Sequence, residues 1–256
     1  MKRLIRSLGS SKTTSRIGFY TTLTVFLTMN SEISVENFLS LIDNELHPVN
    51  SNSKSVRNLF CVMIISVSCL ISIISFQENG DIYMGRILAY GALIRSKILS
   101  KSIDVIQQQT IQDLINAGKQ RSYLSFVSIS FLIEFINQVD TESVKKLIWP
   151  IVEKEFGKPW AQQTLDSFYA LLVIKNKCPL LVNNEFSKIH FDTNDIITKE
   201  SMNDIVKVLL VSEYCNFNYV NYLFKKKLLN NALLIFRIYP ESYHVIIQYL
   251  NCFVKI

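Results

Sequence analysis

The stretch Leu124-Ser125-Phe126-Val127-Ser128-Ile129-Ser130-Phe131-Leu132-Ile133-Glu134-Phe135-Ile136-Asn137-Gln138-Val139 decides the fold. Leu124, Val127, Phe131, Leu132, Phe135, Ile136 and Val139 recur at three- and four-residue spacing, the period of one face of an α-helix. Asp140 or Thr141 can cap a following helix that turns Val144, Leu147, Ile148, Ile151 and Val152 inward. Pro150 lies inside that pattern and is expected to kink or split it.

The same period extends in both directions. Upstream, Ile103, Ile106, Thr110, Ile111, Leu114 and Ile115 form a stripe, with Gly118 placed to end it. Val35, Phe38, Leu39, Ile42 and Leu46 form another, started by Ser34 and stopped at His47-Pro48. Downstream, Gly157-Lys158-Pro159 breaks the chain. Trp160, Thr164, Leu165, Phe168, Leu171 and Leu172 then share a face. Cys178–Asp195 reads as the longest non-helical stretch, a linker or a short extended segment. Thr198 or Ser201 starts a helix carrying Met202, Ile205, Val206, Leu209 and Leu210, and 218–237 and 240–253 read as two more. The chain stops in mid-pattern at Ile256 with no polar capping helix.

Composition agrees with helices. Hydrophobic residues make up 49% of the 256, enough for a core, and only 7 Gly and 5 Pro are present, too few for the turns of a sandwich or barrel. The reading is all-α, a HEAT/armadillo-like helical array (α-solenoid) over 1–256 as one region. No repeat of about 40 residues is visible in the sequence. A compact bundle, and a mixed fold with Val206–Val211 as a strand, are the alternatives.

One block does not fit. Leu59–Phe76 carries no charge. As a helix it would be about 27 Å long, near the ~30 Å of a bilayer core. It fits a membrane span as well as a buried helix. Its abrupt edges also suit a third origin, translated non-coding sequence.

The formal net charge is +6. Lys2, Arg3, Arg6, Lys12 and Arg16 all precede the first acid, Glu32, and Lys225-Lys226-Lys227 form a second cluster. Such groups attract phosphates or acidic proteins, or lie on a solvated face. Tyr214, Phe217, Tyr219, Tyr222 and Phe224 beside the second cluster could stack single-stranded bases or fill a core.

Catalytic signals are absent from the sequence. There is no Gly-x-x-x-x-Gly-Lys loop and no Gly-x-Ser-x-Gly elbow. Leu8-Gly9-Ser10-Ser11-Lys12 supplies half a phosphate loop and suits a helix cap better. Aspartates from Asp43 to Asp204 stand singly, without the pairing that two-metal chemistry requires. Glu134, between Ile133 and Phe135, could be a buried acid, but a helix-boundary or surface role suits it better. The five cysteines, Cys61, Cys69, Cys178, Cys215 and Cys252, lack CxxC spacing and read as buried thiols; the three histidines are scattered. No catalytic residue, metal, cofactor or small-molecule substrate is expected.

Three stretches carry a family pattern. The first runs from Arg3-Leu4-Ile5-Arg6-Ser7-Leu8-Gly9-Ser10-Ser11-Lys12 through Ser15-Arg16-Ile17-Gly18-Phe19 to Leu23. The second is Gly85-Arg86-Ile87-Leu88-Ala89-Tyr90-Gly91-Ala92-Leu93-Ile94-Arg95-Ser96. The third runs from Leu147 through Pro150 and Trp160 to Thr164-Leu165-Asp166 and Leu171-Leu172. Together they resemble the N-terminal region of the Myb-binding protein 1A/DNA polymerase phi (DNA polymerase V) family. The chain departs from that pattern at Lys97, where the family tends to have Gly.

The resemblance implies a nuclear, mainly nucleolar protein tied to rRNA gene (rDNA) transcription and ribosome biogenesis. It implies transcription factors or nucleolar proteins as partners, with chromatin, DNA or RNA reached through the basic groups. A DNA-directed DNA polymerase, as the family name suggests, is the enzyme alternative, and a membrane-anchored helical protein is another. A membrane is not expected as a partner. In the family the helix ending near Leu46 leads by a polar loop into the Gly-Arg segment. The apolar block at 55–77 is therefore an expected insert, a retained intron or gene-model artefact. Family members are longer and end in basic tails, so the chain is expected to be a fragment.

Overall fold

The computed structural model describes residues 1–48, 64–198 and 200–211, with no strand among them. Two compact units divide at Ile151/Val152. In the first are α1 (Lys2–Leu8), α2 (Thr13–Met29), α3 (Val35–Glu45), α4 (Ile64–Arg95), α5 (Asp104–Gly118), α6 (Ser122–Gln138) and the single turn α7 (Thr141–Ser143). They are followed by α8 (Trp149–Phe156), α9 (Leu165–Lys177), α10 (Asn184–Phe191) and α11 (Met202–Val211).

The core of the first unit forms around the C-terminal half of α4. Ile87, Ala89, Tyr90, Ala92, Leu93 and Ile94 are all buried, and α1, α2, α5 and α6 each pack on this helix. Ile5 and Leu8 come in from α1, Leu23 and Leu27 from α2, and Phe38 and Ile42 from α3. The stripe on α6 buries Leu124, Phe131, Leu132, Phe135 and Ile136 as its spacing requires. Each such side chain contributes roughly 1.5–3 kcal/mol on leaving water, so these rows are what hold the unit together.

Helix starts follow local chemistry. Ser34 accepts from the Asn37 amide and Asp140 from the Ser143 amide. α3 stops at Glu45, just before His47-Pro48. Pro150 leaves its mark one turn upstream. It has no N–H to give the Lys146 carbonyl, and the backbone widens into a π turn over Val144–Ile148. The Lys146 carbonyl instead accepts a long 3.4 Å bond from Gln108 on α5.

Several expectations are corrected. Ile103 lies just before α5 in an extended conformation and is 64% exposed, so it does not join the stripe. Gly118 is the last residue of α5, and a Cβ there would lie 2.5 Å from the Ser128 Cβ, so its bareness serves helix contact rather than a left-handed cap. Thr164 does not share a helix with Trp160. Trp160–Gln162 is a separate 3₁₀ turn, and Thr164 caps α9 in a reciprocal pair with Ser167. The stretch 178–195 contains α10, because Asn183 accepts from the Phe186 amide and Phe186 and Phe191 are buried. Val206–Val211 is helix, not strand.

In the second unit Trp160, Phe168, Phe186 and Phe191 pack together. The Trp160 ring lies 5.6 Å from Phe168 and 4.6 Å from Phe191, with Phe186 5.9 Å from Phe191. Cys178 is a buried thiol there.

The apolar block from Ile64 onward is helical and continuous with the Gly-Arg segment in α4. No helix among the described residues is long and apolar enough to cross a membrane. Residues 59–63 of the candidate span lie outside the described residues.

Candidate functional site

The basic N-terminal segment divides into cations that hold the fold and cations left over. Ile5 and Leu8 bury one face of α1 and leave Lys2, Arg3 and Arg6 outward. Lys2 Nζ lies 3.2 Å from Glu45 Oε1, and Arg6 donates to Glu45 Oε2 at 2.6 and 2.7 Å. Glu45 has its side chain only 4% exposed. Burial opposes its ionisation, but the hydrogen bonds and charges of Lys2 and Arg6 outweigh burial and hold its carboxyl below the usual range.

Arg16 is further from solvent, its side chain 11% exposed. It donates twice to the Ser10 carbonyl, at 2.9 and 2.6 Å, and once to Asp81 Oδ1 at 2.6 Å. Arg16 therefore pins the α1–α2 loop to α4. Arg3 and Lys12 are exposed and have no ion-pair partner among the described residues. The structure brings together Lys2 and Arg6, assigns Arg16 a structural bond, and leaves Arg3 and Lys12 to solvent. Lys225, Lys226 and Lys227 and the aromatics beside them lie outside the described residues.

The Gly-Arg segment supplies two more arginines whose roles its spacing did not show. Arg86 ties α4 to the end of α3, donating to Asp43 Oδ1 at 2.6 Å, the Leu46 carbonyl at 3.2 Å and, within α4, the Tyr90 hydroxyl at 3.1 Å. Burial, above all, pushes the Tyr90 hydroxyl up to about 12. Arg95 pairs with Glu134 Oε2 at 3.0 Å, its guanidinium 5.6 Å from the Tyr20 ring centre and 5.2 Å from that of Phe131. Glu134 is thus the half-buried partner of a stacked arginine, not an isolated buried acid. The signal in the sequence was an arginine one helical turn beyond Gly91, whose bare Cα the Phe131 ring covers.

Four aspartates are spent in the same way. Asp43 meets Arg86, Asp81 meets Arg16, Asp104 meets Lys146 and Asp195 meets Lys175. Among the described residues no group of three or more His, Cys, Asp or Glu is placed to hold a metal ion. What the arrangement offers is a helical surface on which Arg3 and Lys12 are exposed cations.

Comparison with known proteins gives one finding. The family model described as DNA polymerase phi matches residues 1–222. Searches of curated proteins and of solved structures each gave no match. Covering far more than half of the sequence, the match shows that this chain belongs to the DNA polymerase phi family.

Proposed function

We propose that the chain is a nucleolar scaffold that regulates rRNA gene transcription and ribosome biogenesis by binding transcription factors, chromatin or DNA. Its helices would continue as a HEAT/armadillo-like array, the outer faces of which carry the contacts. Short connections such as Lys119–Arg121 between α5 and α6, which pack on each other, support that arrangement. The observation that carries the reading is the use of the carboxylates. Within the family match, Asp43, Asp81, Asp104 and Asp195 each engage a basic side chain, rather than converging as two-metal polymerisation requires.

Arg3 and Lys12, joined by the outer sides of Lys2 and Arg6 and by Lys225, Lys226 and Lys227, would meet phosphates or acidic proteins without reading base sequence. A pull-down from nuclear extract with and without nuclease tests this. Nucleolar proteins retained after nuclease support a protein scaffold, and loss of all of them points to nucleic-acid bridging. Metal-dependent nucleotide incorporation by the purified chain would sink the scaffold reading in favour of the polymerase.

A further inference from the structure

The turn that ends α4 carries three cations in seven residues: Arg95, Lys97 and Lys101. Ile98 and Leu99 between them are buried, which anchors the 3₁₀ turn Leu99–Lys101 to the core. Lys97 and Lys101 are left exposed, and neither has an ion-pair partner among the described residues.

The backbone singles out Lys97. Its φ of 60° lies in the left-handed region. Among the described residues the other non-glycine with positive φ is Asp192, the C-cap of α10, and a short polar side chain enters that region more readily than lysine does. Glycine would make the same turn at lower cost. The lysine ammonium gains no ion pair inside the protein to offset that cost. A strained residue whose side chain points outward directs attention to what that side chain meets.

Arg95 is held where Lys97 is free. Its guanidinium lies 5.6 Å from the Tyr20 ring centre and 5.2 Å from that of Phe131. Both hydrogen bonds to Glu134 use Nε, at 3.2 and 3.0 Å, so that carboxylate does not take the Nη edge of the fork, and the side chain is 48% exposed. A planar fork fixed by stacked rings, with one edge left over, suits a phosphate. The serines of the turn add nothing to it. Ser96, Ser100 and Ser102 donate their hydroxyls to the carbonyls of Leu93, Lys97 and Leu99. Between the cations there is neither an exposed apolar anchor nor an uncommitted hydroxyl proton. Protein interfaces draw their energy from buried aromatic and arginine anchors in packed pockets, whereas a phosphate backbone is bound by charge alone.

We propose that the turn after α4 is a contact for the phosphate backbone of nucleic acid, made by Arg95, Lys97 and Lys101 without reading bases, a role that rests on the scaffold reading above but uses none of the N-terminal cations assigned there. Lys97 keeps a side chain in a strained position because its charge is used.

Binding isotherms of the full chain over a salt series, with a mixed-sequence DNA duplex and with single-stranded RNA, test this. Lys97→Ala with Lys101→Ala is expected to lower affinity about tenfold and the slope of log affinity against log salt by up to about 2 on the duplex, or about 1.4 on the single strand. A drop on one nucleic acid alone names the one that is bound. Lys97→Gly is expected to weaken binding severalfold while its melting temperature rises, which separates binding from packing. Arg95→Lys keeps the charge and loses the fork, so affinity falls while the salt slope holds. A lysine double variant or a Lys97→Gly variant that binds both nucleic acids like the wild type overturns the proposal. Weaker binding to polyglutamate alone would assign the turn to acidic proteins and overturns it too. A wild-type chain with no affinity for either nucleic acid also overturns it, while nucleolar proteins retained after nuclease in the pull-down would keep the scaffold reading standing.

Discussion

Gly85 of α4 touches Leu8 of α1 backbone to backbone: a Cβ at Gly85 would lie 2.9 Å from the Leu8 carbonyl carbon and 2.9 Å from the Gly9 amide nitrogen. The first and second family stretches thus meet at one point, and the meeting needs glycine because backbone, unlike a flexible side-chain end, has little room to give. Gly85→Ala is expected to destabilise the chain by about 1–3 kcal/mol through overpacking. Thermal denaturation measures this, and an unchanged or raised melting temperature would show that α1 and α4 can part at no cost.

Lys97 follows α4 with φ 60°, in the left-handed region where a side chain is strained. The amide of Lys97 bonds the Ile94 carbonyl at 2.9 Å, so the conformation is fixed by the end of the helix. Lys97→Gly removes the strain at the cost of a more flexible unfolded chain. The net gain is expected to be about 0.5–1 kcal/mol. A Lys97→Ala control should gain nothing, and a fall in melting temperature for the glycine variant would contradict the account.

Helices were legible in the sequence wherever one apolar stripe met one neighbour, as with Leu124–Ile136 of α6. Legibility failed where side chains served the backbone instead of a stripe. Thr164 falls on the apolar stripe by spacing, but its hydroxyl caps α9. Asn183 likewise looked like loop but starts α10. The basic segment was legible as charge alone. Whether a cation is free depends on Glu45 and Asp81, which lie far along the chain and whose positions only tertiary packing sets.

That division among the cations gives opposite expectations for residues alike in sequence. Arg16→Ala leaves Asp81 and the Ser10 carbonyl without their donor in a largely buried place, and is expected to cost about 2 kcal/mol or more. Arg3→Ala with Lys12→Ala is expected to change stability by less than about 0.5 kcal/mol. On duplex DNA the same double variant should lower the slope of log affinity against log salt by up to about 2. Denaturant titration and a salt series of binding isotherms separate the two roles. Equal stability loss in both variants, or an unaltered salt slope in the double variant, would remove the distinction.

Asp113 on α5 is a half-buried carboxyl. Burial raises its pKa above the ordinary 3.8, Arg86 pulls it down less strongly, and Asp43 adds a further rise. A carboxyl with a raised folded-state pKa binds its proton more tightly in the folded chain than in the unfolded one. Stability from this group is therefore full below pH 3.8 and falls as pH rises through the folded value. Asp113→Asn removes that penalty while keeping the side chain's shape, so the variant is expected to melt higher than the wild type at neutral pH. The difference should shrink as the solution is taken down toward the unfolded pKa, because both chains then present a neutral side chain. Glu45 moves the other way. Lys2 and Arg6 lower its folded pKa, so its contribution is present above the ordinary 4.5 and is lost on acidification through the folded value. Glu45→Gln should therefore be destabilising at neutral pH and converge on the wild type in acid. Melting curves of both variants over one pH series decide the matter, since opposite signs at neutral pH are required, and a common sign would mean that packing, not charge, sets the effect at one of the two sites.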